Sequence, residues 1–253
     1  MGIEQYPYDP EIYKALTNRG RASIRIGELD MAERDLKESL RMNNRYSPTI
    51  NALGELKAVR KEWDEALAYY NISMELDPKN PANYVRRSIA YRNKGELKKA
   101  LSDVDEAIRL DPYLAVAYFN RGILKFDSGD IEEAISDFTR CIEIRPDYLP
   151  AYYKRATAFE KKSNYKKALE DYDTLLEKRP QHFEALFNRG LIYAGYERYN
   201  LAIKDLTAAA KVKPKNGAVQ YNIGVVMEKI GNYEEAEKYF EKACALDENY
   251  CGR

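Results

Sequence analysis

Apolar and polar positions alternate along this chain with the 3.6-residue period of amphipathic helices, as in YEEAEKYFEKACAL over 233–246. The pattern itself recurs. NRGRASIRIGELDMAERDL, NRGILKFDSGDIEEAISDF and NRGLIYAGYERYNLAIKDL are one theme, set apart by multiples of 34 residues. Seven units fit without insertion: 13–46, 47–80, 81–114, 115–148, 149–182, 183–216 and 217–250, with 1–12 as an N-terminal extension and 251–253 as a tail. Each unit predicts two helices joined by a short turn.

Certain places in the unit barely vary. Place 20 is Ala32, Ala66, Ala100, Ala134, Ala168, Ala202 and Ala236. Place 8 is always small: Gly20, Gly54, Ser88, Gly122, Ala156, Gly190, Gly224. Place 24 is always large and apolar, from Leu36 to Phe240. Small residues at fixed places let two helices approach while large ones fill the space opposite. Pro78, Pro112, Pro146, Pro180 and Pro214 stand where the second helix should stop, because proline cannot continue the hydrogen-bond ladder. Asn80-Pro81 and Ser47-Pro48 offer a cap followed by proline at the first helical position.

This pattern resembles the tetratricopeptide repeat, and the resemblance covers 238 of the 253 residues. Departures are few: Leu175 is large where the family prefers a small residue, and Asn44 and Glu248 replace proline. The resemblance implies an all-α, right-handed superhelical solenoid of helix-turn-helix repeats with a concave groove. Pentatricopeptide RNA readers are set aside, since their period is 35 and they carry a basic excess.

On a helical wheel, places 4, 7, 8 and 11 of each first helix form the packed face. Yet place 7 is Arg19, Arg87, Arg121, Arg155 and Arg189 in five units. An arginine bordering a core needs a partner. Place 23 of the same units is Asp35, Asp103, Asp137, Asp171 and Asp205; where place 7 is Leu53 or Ile223, place 23 is Tyr69 or Tyr239. The covariation predicts an Arg–Asp bridge between the two helices of each of those five units.

Places 2, 5, 6, 9, 12 and 13 fall opposite the packed face, and in the resembled family that face lines the groove. Place 6 carries Asn18, Asn120, Asn188 and Asn222, with Lys154 among the interruptions. An asparagine amide has a donor and an acceptor for an extended peptide backbone, though asparagine here is also common in the family without a ligand role. Place 5 is Phe119, Tyr153, Phe187 and Tyr221, with Ile123 and Leu191 beside them at place 9. These make an apolar stripe for a peptide or helix, or else pack against the neighbouring unit. Lys14, Arg21 and Arg25 join Asn18 in a basic patch on the first unit. Binding of acidic chaperone tails, known in the family, is rejected: the required places hold Val85, Ile89, Asn120, Pro150 and Lys154, of which two suit.

Charge and candidate chemistry narrow the function. Lys+Arg and Asp+Glu both number 41, so there is no basic excess for nucleic acid or acidic membranes, and no apolar run suits a membrane span. The three cysteines lack metal-ligand spacing; Cys141 and Cys244 are too far apart to bridge, and all three, with Cys251 in the tail, are expected reduced. No cofactor motif, phosphate loop or nucleophile elbow occurs, and His182 stands alone in a turn. The expectation is a non-catalytic protein-interaction scaffold of the cytoplasm, with a nuclear or ciliary setting also open. Its partner is a protein or peptide. An architectural element of a large assembly is the alternative, since no capping helix follows the seventh unit. That end then calls for a partner, a second copy or a longer parent chain.

Overall fold

The computed structural model describes residues 11–251; the N-terminal extension up to Pro10 and the last two tail residues lie outside the described residues. The described chain is all α-helix apart from turns. It divides into two compact units at Asp130. The first holds α1 (Ile12–Ile26), α2 (Leu29–Met42), α3 (Ser47–Val59), α4 (Trp63–Leu76), α5 (Pro81–Asn93), α6 (Leu97–Leu110) and α7 (Ala115–Ser128). The second holds α8 (Ile131–Ile144), α9 (Leu149–Lys161), α10 (Tyr165–Lys178), α11 (Phe183–Gly195), α12 (Tyr199–Val212), α13 (Gly217–Lys229) and α14 (Tyr233–Leu246). Within each unit, successive helices pair as hairpins: α1 with α2, α3 with α4, α5 with α6, then α9 with α10, α11 with α12, and α13 with α14.

The small and large places meet inside these hairpins. A Cβ added at Gly54 would sit 2.5 Å from Tyr70 Cε1, and one at Gly224 would sit 2.7 Å from Phe240 Cε1. The alanines of place 20 are all buried beside them. Close approach of the two helix backbones thus removes the large side chain from water, and this burial is the main favourable term for each hairpin.

Each connection from an odd-numbered helix to the next contains one residue in the left-handed region: Gly27, Lys61, Gly95, Gly129, Ser163, Glu197 or Gly231. That geometry ends the first helix in one residue, and it suits glycine because an L side chain crowds the following carbonyl there. Starts are capped less uniformly. Asn80 Oδ1 accepts from the Ala82 N–H, with Pro81 next. Ser47 departs from the expectation: it is already helical, and its hydroxyl lies 2.8 Å from Ser73 Oγ instead of capping. Asn164, Asn216 and Asn232 cap where no proline follows.

The helix wheel gave too wide an open face. Thr17, Asn51 and Val85, all at place 5, are buried, because a first helix packs on its own hairpin partner and also on the next hairpin. In the first unit two of these junctions are polar. Thr17 Oγ1 lies 2.8 Å from Ser39 Oγ and 2.6 Å from Thr49 Oγ1. Asn51 Nδ2 donates to Asn83 Oδ1 at 2.9 Å, while Asn51 Oδ1 is buried with no hydrogen-bond partner. In the second unit the equivalent junctions are apolar, built on Leu175, Ala185, Ala209 and Val219.

The cysteines require a correction. Cys244 and Cys251 form a disulfide, with Cα atoms 4.6 Å apart, so only Cys141 is a free thiol. The chain leaves α14, makes a short 3-10 turn over Glu248–Tyr250, and brings the tail residue back beside the helix it has just left. That turn sets the Tyr250 ring 5.1 Å from the Tyr221 ring and against Gly217.

Candidate peptide-binding surface

The arginines at place 7 are engaged by side chains of the fold itself. Arg19 pairs with Asp35, Arg87 with Asp103, Arg155 with Asp171 and Arg189 with Asp205. All four are two-pronged: Nε reaches Oδ2 at 2.6–2.9 Å and Nη2 reaches Oδ1 at 2.6–2.8 Å. Arg121 and Asp137, the fifth expected pair, fall in different units, and their bridge stays an expectation. A further contact escaped the sequence reading. The remaining nitrogen, Nη1, reaches a polar side chain at place 25 of the preceding repeat: Arg87 to Asn71, Arg121 to Asp105, Arg155 to Thr139 and Arg189 to Asp173. The sequence signal for it is partial: place 25 is Lys37 where the next place 7 is Leu53, but Thr207 precedes Ile223. With donors used on both sides, these guanidiniums fasten hairpins together and are not anion ligands.

The basic patch of the first unit is likewise engaged. Lys14 pairs with Glu11, which raises the lysine's pKa through their hydrogen bond. Arg21 lies 3.9 Å from Glu55, a carboxylate that Arg86 approaches equally, while Arg25 and Asn18 are exposed on α1.

The place-6 amides mostly turn inward. Asn120 Nδ2 donates to Val116 O at 2.7 Å and Asn222 Nδ2 to Ala218 O at 2.8 Å, each the carbonyl one turn earlier in its own helix. Asn188 differs: its Nδ2 lies 3.0 Å from Tyr172 Oη and 3.4 Å from Glu160 Oε1. The carbonyl oxygens of these amides stay available as acceptors.

The aromatic stripe is half-buried. Phe187 stacks on Phe183 with centroids 6.0 Å apart, and Tyr153 lies 5.3 Å from the His182 ring. Both pack against the core of the second unit. Tyr221 touches Phe240 and Tyr250, while Phe119 and Ile123 are half-buried on α7. Leu191 is exposed, and Lys154 is half-buried with its ammonium 6.0 Å from the Tyr153 ring.

Beside Leu191 a cavity of about 420 Å³ opens, lined by Glu160, Tyr165, Leu191, Ile192, Gly195 and Tyr196. Burial raises the Glu160 carboxyl above its usual range, against the pull of hydrogen bonds from Tyr172 and Asn188. Glu160 occupies place 12, on the face the wheel assigned to the groove. Tyr165 opens α10 and Tyr196 lies in the turn after α11, at helix ends where the periodic pattern stops.

The remaining candidates for chemistry are structural. Burial pushes the Cys141 thiol up to about 11, leaving it unreactive at neutral pH. His182 Nδ1 accepts from the Ala185 N–H at 3.2 Å as the cap of α11. Among the described residues no cluster of His, Cys, Asp and Glu could hold a metal ion, and no helix is long and apolar enough to cross a membrane.

Family models described as tetratricopeptide repeat match residues 81–113, 115–148, 153–195, 183–216 and 217–250. No curated protein matches the chain. Among solved structures, YrrB, described as a TPR protein with an unusual peptide-binding site, is 23% identical with a TM-score of 0.63, covering 71% of this chain and 93% of its own. A tetratricopeptide repeat protein from Parabacteroides merdae is 21% identical with a TM-score of 0.63, covering 93% of each chain. PilF of Pseudomonas aeruginosa is 16% identical with a TM-score of 0.71, covering 81% of this chain and 93% of its own. These likenesses are of fold.

Proposed function

The chain belongs to the tetratricopeptide repeat family, and we propose that it is a non-catalytic adaptor, built of seven 34-residue repeats, whose first helices hold a peptide segment or helix of a partner protein. One observation carries the reading. On α9 and α11, Tyr153 and Phe187 are only half-buried and Leu191 lines a cavity, while the neighbouring Arg155 and Arg189 are paired within the fold. Partly open aromatic and aliphatic side chains next to a concavity are what an anchor-bearing peptide needs. The acceptor oxygens of Asn188 and Asn222, on first helices of the second unit, add polar points for a backbone. YrrB, of similar fold, is described as having an unusual peptide-binding site, which supports such use.

The test is selection of peptides from a displayed random library, followed by affinity measurements on wild type and on Phe187→Ala/Leu191→Arg. Leu191 is exposed, so the arginine should not disturb folding, which circular dichroism checks. Peptides that bind wild type and lose at least about tenfold on the variant support the adaptor. Peptides that bind both equally overturn it.

A second reading, a fixed element of a larger assembly in a cytoplasmic setting, is favoured by the exposure of Tyr233 and Leu246 on α14. It expects no peptide to be selected on α9 and α11.

A further inference from the structure

The cavity beside Leu191 has a particular chemistry. Its volume of about 420 Å³ is at the low end for a ligand site, enough for a side chain and too small for a folded element. Tyr165 and Tyr196 form two of its walls, with centroids 6.0 Å apart and planes at 85°, and both rings are exposed. Glu160 forms a third. Both hydrogen bonds that Glu160 accepts, from Tyr172 Oη and from Asn188 Nδ2, fall on Oε1. Oε2 accepts none, and among the described residues no lysine or arginine pairs with this carboxylate.

What sets Glu160 apart is that it is half-buried and lacks a base. Asp171 is neutralised by Arg155, Asp205 and Asp173 by Arg189, and Glu184 by Lys213. A half-buried carboxylate with no base beside it is costly to ionise, and a cation placed against it removes the cost. Helix ends point the same way. Glu160 lies in the last turn of α9, and Gly195 and Tyr196 end α11, so two helix C-termini lend negative potential. Only the start of α10, at Tyr165, opposes them. Tyrosine faces attract cations as well.

We propose that this cavity receives one basic side chain, lysine or arginine, of the segment bound along α9 and α11, with the charge against Glu160 Oε2 and the aliphatic stem between Tyr165, Tyr196 and Leu191. The inference rests on the peptide-binding reading above and adds the chemistry of its anchor.

Its test uses small probes on the full chain, so that the pocket is read separately from the groove. N-acetyl-lysine methylamide, its arginine counterpart and the uncharged N-acetyl-norleucine methylamide are titrated while the Leu191 and Gly195 amide resonances are followed by NMR. The lysine and arginine probes should shift both amides saturably, with norleucine at least about tenfold weaker. Glu160→Gln should abolish the preference. Tyr196→Ala, at an exposed turn where folding is not at stake, should weaken the basic probes severalfold. Equal binding of norleucine, or an undiminished preference for the basic probes in Glu160→Gln, overturns the proposal.

Selected peptides then separate the two readings. A basic residue at one fixed place, with binding lost in Glu160→Gln, supports both. Peptides selected with no fixed basic place leave the adaptor standing and overturn the anchor. Lysine-probe binding without any selected peptide supports the pocket chemistry and overturns the adaptor.

Discussion

Arg189 reaches back across a repeat boundary to Asp173, with Nη1 2.6 Å from Oδ1. Its other prong closes on Asp205, whose side chain is only 3% exposed. One guanidinium therefore ties two helices of a hairpin to the hairpin before it. Arg189 is 18% exposed in this arrangement, while Arg19 in the first repeat is 64% exposed. The chain also contains the apolar equivalent, since Ile223 and Tyr239 occupy the same places in the seventh repeat.

Arg189→Ile should therefore destabilise the fold by roughly 3–5 kcal/mol, because Asp205 is left buried and unpaired. Adding Asp205→Tyr should recover most of that loss. Urea unfolding of both singles and the double, read as a mutant cycle, decides it. A double variant no more stable than Arg189→Ile would show that the apolar pair cannot stand in for the ionic one.

Asn51 gives a second prediction. Its Oδ1 is already buried without a partner, and Asn83 supplies the acceptor for its Nδ2. Asn83→Ala should cost about 1–3 kcal/mol by leaving more of the amide unsatisfied. Asn51→Val with Asn83→Ala reproduces the Val85 and Ala117 junction found two helices later, and should match or exceed wild type. Thermal melts of the three proteins suffice, and a double variant weaker than the single would refute the argument.

What the sequence made legible follows from which forces have a fixed period. The hairpins could be read because Gly54 and Tyr70, or Gly224 and Phe240, must meet at constant spacing wherever two helices cross. The Arg–Asp forks could be read because a buried charge needs a partner, and the substitution of both members together exposes the rule. The left-handed turn went unread, because Gly27, Gly95, Gly129 and Gly231 share it with Lys61, Ser163 and Glu197, which accept the same backbone. At place 5 the wheel left two readings open, groove or packing on the neighbour, because a single helix carries no information about the next hairpin; Thr17, Asn51 and Val85 are buried. Glu160 sits on the periodic groove face, but its meeting with Tyr165 and Tyr196 at helix ends, like the Cys244–Cys251 link through a tail turn, depends on connections that have no helical period.

The cysteines should label in sequence. Without reductant, the native protein should take up no iodoacetamide at neutral pH, since Cys244 and Cys251 are joined and Cys141 is buried with its thiol pushed up to about 11. Reduction should expose two sites, and unfolding the third. Intact-mass spectrometry counts the adducts. Labelling of Cys251 before reduction would show that the link does not form in the protein as prepared.

Acid should act oppositely on two carboxylates. Glu33, hydrogen-bonded by Lys37 and Arg60, is held down at about 2, below its unfolded value near 4.5. The stability it contributes is present above about pH 4.5 and is lost as pH falls towards 2. Glu160 is raised by burial, so its sign reverses: its contribution is complete below the unfolded value and is lost as pH rises through the raised one. Glu33→Gln should therefore weaken the protein at pH 7 and make little difference at pH 2. Glu160→Gln should leave it nearly unchanged at pH 4 and strengthen it at pH 7, because the uncompensated charge is gone. Urea midpoints at these pH values test both signs. A Glu160→Gln protein weaker than wild type at pH 7 would mean that a cation, from the chain or the solvent, already neutralises that carboxylate.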